Sequence, residues 1–133
     1  MTSLETKGAA TGQVRMVLRM EGGAVLVAAG ILYFSTGGIW WLFALLLFAP
    51  DLSFLGYAMG QRVGAIVYNA AHTYIVPIGL GFAGVLMDMS LLQHIALIHL
   101  AHIGLDRSLG YGLKYATGFA HTHLGELAGR RKA

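Results

Sequence analysis

The chain contains no cysteine. Disulfide bonds, thiolate metal ligands and cysteine nucleophiles are therefore excluded, and cysteine usage gives no information on the redox compartment. Charged residues are also scarce: they make up 11% of the 133 residues, against roughly 25% in an ordinary soluble domain. With 56% hydrophobic residues and a mean hydropathy of +0.66, the chain cannot cover a soluble surface in the usual way, and lipid is the surrounding that fits this composition.

Strand-like alternation and glycine-rich nucleotide motifs are missing as well, so a nucleotide-binding fold is not expected. The sequence pI of 9.5 does not indicate nucleic-acid binding. Most of the nine Lys and Arg residues lie near predicted helix ends, and the basic residues cluster only at Arg130, Arg131 and Lys132. Membrane topology explains this distribution better than a nucleic-acid partner does.

Four apolar segments approach the length that crosses a bilayer, at about 16–34, 39–59, 63–86 and 91–106. Short polar turns join them, which predicts an all-α integral membrane protein with an up-and-down four-helix bundle. We expect a flexible N-terminal tail over 1–13, a transmembrane domain over 14–107 and a C-terminal segment over 108–133. Gly110 and Gly112 make the last segment non-helical, and its aromatic and His residues predict that it folds at the mouth of the bundle.

The basic residues predict the orientation of this bundle. They precede the first segment, separate the second from the third and follow the fourth, whereas the other two turns have no Lys or Arg. The positive-inside rule then places both termini in the cytoplasm and the protein in the inner membrane, with membrane lipids as partners.

Several ionisable or amide side chains lie inside the apolar segments, where such groups are costly and mark functional sites. Counted from the predicted cytoplasmic boundaries, most lie at roughly 5–15 Å depth, which places residues from all four segments in one layer. The members of this layer are Glu21, Asp51, Asn69, His72, His99, His102 and Asp106. His94 lies toward the other end and off the shared helical face.

Two prolines flank this layer. Pro50 precedes Asp51 and disturbs the carbonyl of Leu46, and Pro77 disturbs the carbonyl of Thr73, next to His72. Unwound backbone is tolerated in a membrane where it is buried in protein or lines a cavity. The two kinks therefore favour a cavity beside the ionisable residues.

The side chains in this layer suit a divalent metal ion, either zinc or another first-row ion. His99, His102 and Asp106 share one helical face, and Asn69 shares a face with His72. The predicted metal ligands are His72, His102, Asp51, Asp106 and His99. The predicted catalytic residues are Glu21, Asp51 and Asp106, with Glu21 as proton acceptor in a metal-dependent hydrolase that acts on a lipid or amphipathic substrate.

Three alternatives remain open from the residues alone. The layer could be a hydrogen-bonded His–Asp network that fixes helix register. It could serve proton or cation translocation, which would require a homo-oligomer of these four short helices. It could also bind haem, a quinone or a protein partner.

The sequence also resembles a known family. The segments that carry the resemblance are Leu18-Arg19-Met20-Glu21-Gly22, Ala49-Pro50-Asp51-Leu52-Ser53, Tyr68-Asn69-Ala70-Ala71-His72-Thr73-Tyr74, His102-Ile103-Gly104-Leu105-Asp106-Arg107 and Gly110-Tyr111-Gly112-Leu113-Lys114-Tyr115. Together they resemble a bacterial family catalogued as a domain of unknown function, number forty-two-sixty, which implies a four-helix membrane protein and no particular activity. The layout is also distantly similar to the alkaline ceramidase and progestin-receptor hydrolases, which hold zinc with intramembrane His and Asp but have seven helices and a serine motif that has no match here.

Overall fold

The computed structural model describes residues 8–115 and 121–126. The described chain is mainly helical, so the all-α prediction is confirmed. The helices are α1 (Gly12–Ser35), α2 (Trp40–Leu46), α3 (Gln61–His72), α4 (Ile75–Leu86) and α5 (Ser90–Ser108), with a 3₁₀ helix over Ala49–Met59 between α2 and α3. Two short strands, β1 (His121–Thr122) and β2 (Gly125–Glu126), pair antiparallel near the C-terminus.

The two prolines explain why there are five α-helices where the apolar pattern predicted four. α2 ends at Leu46, the residue whose carbonyl the Pro50 ring disturbs, and the chain continues as a 3₁₀ helix. α3 ends at His72, and Thr73 is extended, with ψ of 145°. Since Pro77 follows within the first turn of α4, α3 and α4 form one apolar segment bent by 41°.

Two helical segments are long and apolar enough to cross a membrane, 12–35 and 40–59, and the bent pair α3–α4 counts as a third if it forms one span. Their surfaces carry large apolar side chains that no described residue covers. Trp40, Leu55 and Leu86 are 73%, 74% and 84% exposed. An exposed apolar surface of this extent marks contact with lipid or with another protein, and together with the span lengths it indicates membrane association.

α5 is the centre of the fold and packs against both α1 and α4. Among the described residues, four of the nine buried hydrophobic residues lie on it, namely Ala96, Ile98, Ala101 and Ile103. The contact with α1 depends on glycine. A Cβ atom on Gly22 would stand 2.4 Å from the Cβ of Arg107, and one on Gly104 would stand 2.6 Å from the Gly22 carbonyl oxygen. Small residues allow this approach of two helix backbones.

The described residues after α5 fold back over the end of the molecule where α1 begins and α5 ends. Residues 111–115 are non-helical, as predicted. The N–H of Ala10 donates to the carbonyl of His123 at 2.6 Å, and the Nε of Arg15 donates to the carbonyl of Leu124. Residues 1–7 of the predicted N-terminal tail and the basic cluster at 130–132 lie outside the described residues.

Candidate metal centre

Asp51 comes from the first turn of the 3₁₀ helix, directly after Pro50. The end of α2 at Leu46 and the tighter 3₁₀ winding turn the chain at this point. The carboxylate of Asp51 thereby reaches the ends of α3 and α5, where its Oδ1 lies 3.3 Å from the Nε2 atoms of both His72 and His102.

His72 is the last residue of α3, and its ring is fixed on two sides. Its Nδ1 lies 2.8 Å from the carbonyl oxygen of Tyr68, one turn earlier. Because a carbonyl only accepts, Nδ1 carries the proton and Nε2 presents a lone pair. The imidazole also stacks on the Tyr68 ring, with 3.8 Å between centroids and 10° between planes. This backbone-anchored tautomer is the arrangement commonly found for metal-binding histidines.

His102 and Asp106 lie one turn apart on α5, so they present ligand atoms on the same face. The Nε2 of His102 is 3.3 Å from Oδ2 of Asp106 and 3.0 Å from Nε2 of His72. His72 Nε2 is in turn 3.5 Å from Asp106 Oδ2. The face shared by His102 and Asp106 was predicted from their spacing alone.

These four residues, Asp51, His72, His102 and Asp106, form what we call the four-residue cluster. Their ligand atoms all lie within 4.8 Å of one another, and the cluster is the one group of this kind in the described part of the chain that can hold a metal ion. His72 and His102 are buried, with 3% and 1% of their side chains exposed, and Asp106 is largely buried. Asp51 is 35% exposed and forms the open side of the cluster.

His99 and Glu21, which were also predicted at this site, lie outside the cluster. The Nε2 of His99 is hydrogen-bonded to the carbonyl oxygen of Ala71, so it acts as a donor and holds the last turn of α3 against α5. Glu21 is an exposed residue of α1. The residues of the predicted layer therefore do not all meet. Residues at the same depth along their helices point in different directions, and helix rotation and packing decide which of them come into contact. At the far end of α5, His94 pairs with Thr36 at 3.0 Å, away from the cluster.

Arg107 lies next to the cluster and contacts the backbone of one of its members, His72. It forms no ion pair among the described residues. Its Nη2 donates to the carbonyl of His72 at 3.2 Å, a group left without a helical partner where α3 ends. Its Nη1 lies 3.0 Å from Nε2 of His123, and its guanidinium lies over the ring of Tyr74. Arg107 thus connects the end of α3, the end of α5 and the C-terminal segment.

Sequence reasoning missed the part that Lys114 has in this region. Asn69 binds both backbone groups of Lys114, accepting from its N–H at 2.6 Å and donating to its carbonyl at 2.7 Å. The Lys114 ammonium lies 4.7 Å from the centre of the Tyr68 ring, so Tyr68 is held between this cation and His72. Burial lowers the pKa of Lys114 to about 8, although the negative charge of Asp106 opposes this shift. The sequence feature that could have predicted this burial is a single lysine placed between apolar and aromatic residues.

His123 fixes the C-terminal segment against Arg107. The N–H of Leu113 donates to its Nδ1 at 2.8 Å. Burial, and to a smaller extent the positive charge of Arg107, lower the pKa of His123. His123 therefore belongs to the contacts that hold the segment in place and is not one of the ligand atoms.

The sequence pattern of one family matches residues 15–127, which includes the whole cluster and its supporting residues. This family is described as Domain of unknown function (DUF4260). The chain belongs to the DUF4260 family. The predicted resemblance is thereby confirmed, and the membership brings no activity with it. Neither a curated protein nor a solved structure matches the chain.

Proposed function

We propose that the four-residue cluster binds one divalent first-row metal ion, best matched by zinc, in an integral membrane protein that hydrolyses an ester or amide bond of a lipid or amphipathic substrate. The observation that carries the metal site is the spacing of the ligand atoms. Four ligands at 2.0–2.1 Å from a tetrahedral ion stand about 3.3 Å apart. Five of the six separations in the cluster are 3.0, 3.3, 3.3, 3.3 and 3.5 Å.

The charges of the cluster support the same conclusion. Two carboxylates and two neutral imidazoles carry a formal charge of −2, which a divalent ion cancels. In the absence of an ion, Asp51 and Asp106 would bring two negative charges close together in a partly buried site, and such proximity is unfavourable. A mixed nitrogen and oxygen ligand set suits zinc and its first-row neighbours.

The proposed hydrolysis depends on the open side of the cluster. A divalent ion at such a site lowers the pKa of a water molecule that it binds and polarises a substrate carbonyl. Asp51 is the most exposed member, so it would be the ligand that gives way to water or substrate and the group that accepts a proton. Asp106 and the two histidines, which are more deeply buried, would hold the ion. Glu21 is not one of the four clustered residues, so its role as proton acceptor stays a prediction.

A lipid or amphipathic substrate follows from the surroundings of the open side. The 3₁₀ helix that carries Asp51 also exposes Leu52 and Leu55, at 69% and 74%. A substrate that approaches Asp51 therefore meets apolar side chains, and acyl chains fit such a surface better than a polar solute does. Haem is a poorer match for the cluster, because the Nε2 atoms of His72 and His102 are 3.0 Å apart, too close for axial ligands on opposite faces of one haem iron.

We propose further that α5 is a fourth span and that both termini face the cytoplasm. α5 is less apolar than the other spans, yet it packs between α1 and α4 and needs less lipid contact. Contacts of Arg15 and Ala10 with the C-terminal segment support placing both chain ends on one side of the membrane. Cysteines placed singly at Gly12, Gly37 and Asp88 test the orientation: in intact cells an impermeant thiol reagent should label the last two and leave the first unlabelled.

Metal analysis of the purified protein tests the proposed function. We expect about one zinc or other first-row ion per chain in the wild type, and almost none in His72→Ala and His102→Ala. His94→Ala is the matched control, since it removes a histidine that pairs with Thr36 away from the cluster, and it should keep the metal. A metal-free wild type, or equal metal loss in His94→Ala, would contradict the site.

An assay with fluorogenic lipid esters and amides tests the reaction. Hydrolysis that is lost when the metal is removed and restored when the metal is added back would support it. A metal-containing protein that hydrolyses none of these substrates would contradict the reaction but not the metal site.

A further inference from the structure

A second polar site lies on the other helix that forms this end of the molecule. Arg15 and Arg19 are one turn apart on α1, so their side chains share a face. Each is held by a hydrogen bond from Nε to a backbone carbonyl, Arg15 to Leu124 and Arg19 to Ser108, the latter at 2.9 Å. Among the described residues these bonds use Nε only, so the Nη nitrogens of both guanidinium groups are available to another acceptor.

Among residues 8–115 and 122–125, whose side chains the structure describes, no carboxylate forms an ion pair with either arginine. Every ion pair there joins a histidine to an aspartate of the four-residue cluster. A cavity of about 320 Å³ lies against both guanidinium groups, lined by Gly12, Arg15, Met16, Arg19, Met20 and Ser108. A cavity of this volume lies at the lower end of the range for small-ligand sites, roughly 300–1,000 Å³.

The wall of the cavity changes from cationic to apolar. Met16 and Met20 stand between the arginines and the apolar surface of α1, and they are 62% and 67% exposed. Val17 and Val27 continue that surface along the helix, at 53% and 59%. A ligand with an anionic head and a hydrocarbon tail can therefore contact both parts at once.

We infer that the cavity of Arg15 and Arg19 binds a phosphate group, carried by an anionic lipid headgroup or present as free phosphate. Guanidinium groups bind phosphate oxygens through paired charge-assisted hydrogen bonds, and two of them held in place lose little side-chain entropy on binding. The backbone carbonyls of Leu124 and Ser108 supply that fixation. Basic residues at the end of a span are placed at the level of lipid headgroups.

This inference is independent of the proposed metal centre. Ser108, which borders the cavity, lies two residues beyond Asp106 on α5, so the two side chains point to opposite sides of that helix. Loss of the metal ligands should therefore leave phosphate binding unchanged, and the two proposals can fail separately.

Titration of the purified protein in a non-ionic detergent tests the inference. The probes are short-chain phosphatidylglycerol, short-chain phosphatidylcholine and inorganic phosphate, and binding is followed by the rise in the midpoint of thermal unfolding and by native mass spectrometry. We expect phosphatidylglycerol to bind at least about ten-fold more tightly than phosphatidylcholine. Binding should weaken by at least about ten-fold in the double variant Arg15→Gln/Arg19→Gln. Arg62→Gln, which removes an exposed arginine at the start of α3, should bind like the wild type.

A second variant separates binding from folding, since the double variant also loses the bonds to the C-terminal segment. Met16→Glu keeps both arginines and their bonds and places a carboxylate in the cavity, where it should displace phosphate. Binding of phosphatidylglycerol that inorganic phosphate does not reproduce assigns the site to lipid, and equal binding of inorganic phosphate assigns it to the free anion. Unchanged binding of every probe in Met16→Glu, or no binding to the wild type, would overturn the inference.

Discussion

His72 shows how an interrupted helix prepares a ligand. The residue ends α3, so its carbonyl is free to accept a hydrogen bond from Arg107, while the carbonyl of Tyr68 in the preceding turn fixes its imidazole. Stacking on Tyr68, which itself lies under the Lys114 ammonium, fixes the plane of the ring. Both the direction of the lone pair and the position of the backbone are thus determined before any metal binds.

Substitution of Asp106 tests the ligand role without changing side-chain size. In Asp106→Asn the formal charge of the cluster falls from −2 to −1, and a neutral amide replaces a carboxylate beside His72 and His102. We expect the affinity for zinc to fall by about ten- to hundred-fold or more. Competition with a chromophoric chelator measures this affinity.

Asp88→Asn is the matched control for that experiment. Asp88 is an exposed turn residue with a positive φ of 52°, a backbone conformation that asparagine also adopts well. Its metal affinity should equal that of the wild type. Equal affinity in Asp106→Asn would remove Asp106 from the ligand set.

At the scale of helices, the packing of α1 on α5 determines the position of the two cluster residues on α5, His102 and Asp106. Gly104 lies between His102 and Asp106 and faces α1. A methyl group there would meet the Gly22 carbonyl at 2.6 Å and the Leu26 nitrogen at 2.7 Å, and both are backbone atoms that cannot turn aside. The close contact of two backbones therefore fixes the height and rotation of α5.

Gly104→Ala should accordingly destabilise the protein by about 1–3 kcal/mol, the usual cost of overpacking. Gly30→Ala on α1 is its control, because a Cβ atom there meets nothing within 4 Å. That variant should be neutral or gain up to about 1 kcal/mol, since alanine is the better helix former. Unfolding of each variant by a denaturing detergent in mixed micelles gives both values. Equal stability of the two variants would contradict the close α1–α5 contact.

The C-terminal segment should release at acidic pH. Burial and Arg107 hold the pKa of His123 below its ordinary value of about 6.5, so the unfolded or undocked segment binds the proton more readily. Stability from this contact is therefore complete above about pH 6.5 and declines as the pH falls below it. Hydrogen exchange or limited proteolysis of residues 111–126 between pH 7.5 and 5 measures the release. His123→Gln should flatten the response, and an unchanged response in that variant would rule out His123 as its cause.

At the scale of the whole molecule, the cluster joins three elements that come from separate parts of the chain, namely the 3₁₀ helix, α3 and α5. A metal ion bound there should stabilise the entire fold, because it binds the native state alone. Removal of the ion by a chelator should lower the midpoint of thermal unfolding. If the free metal concentration before chelation is about a thousand times the dissociation constant, the loss in free energy of unfolding is about 4 kcal/mol.

His102→Ala is the control for chelation, since it lacks a ligand but keeps the helices. Neither chelator nor added zinc should change the midpoint of thermal unfolding of this variant. A chelator effect of the same size in His102→Ala would mean that the stabilising ion lies elsewhere, and a wild type that ignores chelator would contradict a structural contribution of the metal.

The secondary structure and the membrane association of this protein follow largely from local features of the sequence. The length of its apolar runs, the scarcity of charge and the two prolines were sufficient to predict helices, membrane association, kinks near Leu46 and Thr73 and a non-helical segment from Gly110. These features depend on neighbours within one or two turns, which the sequence shows directly. For the same reason the spacing of His102 and Asp106 predicted their common face correctly.

Only tertiary structure decided which residues at one depth actually meet. Depth along a helix does not give its rotation, so the sequence could not separate His72 and His102, which join the cluster, from His99, which binds the Ala71 carbonyl, or from Glu21, which faces outward. That rotation follows from long-range contacts, above all the glycine-mediated approach of α1 to α5 and the return of Lys114 and His123 over the site. Such contacts join residues far apart in the chain, and their energies depend on distances that no local pattern contains.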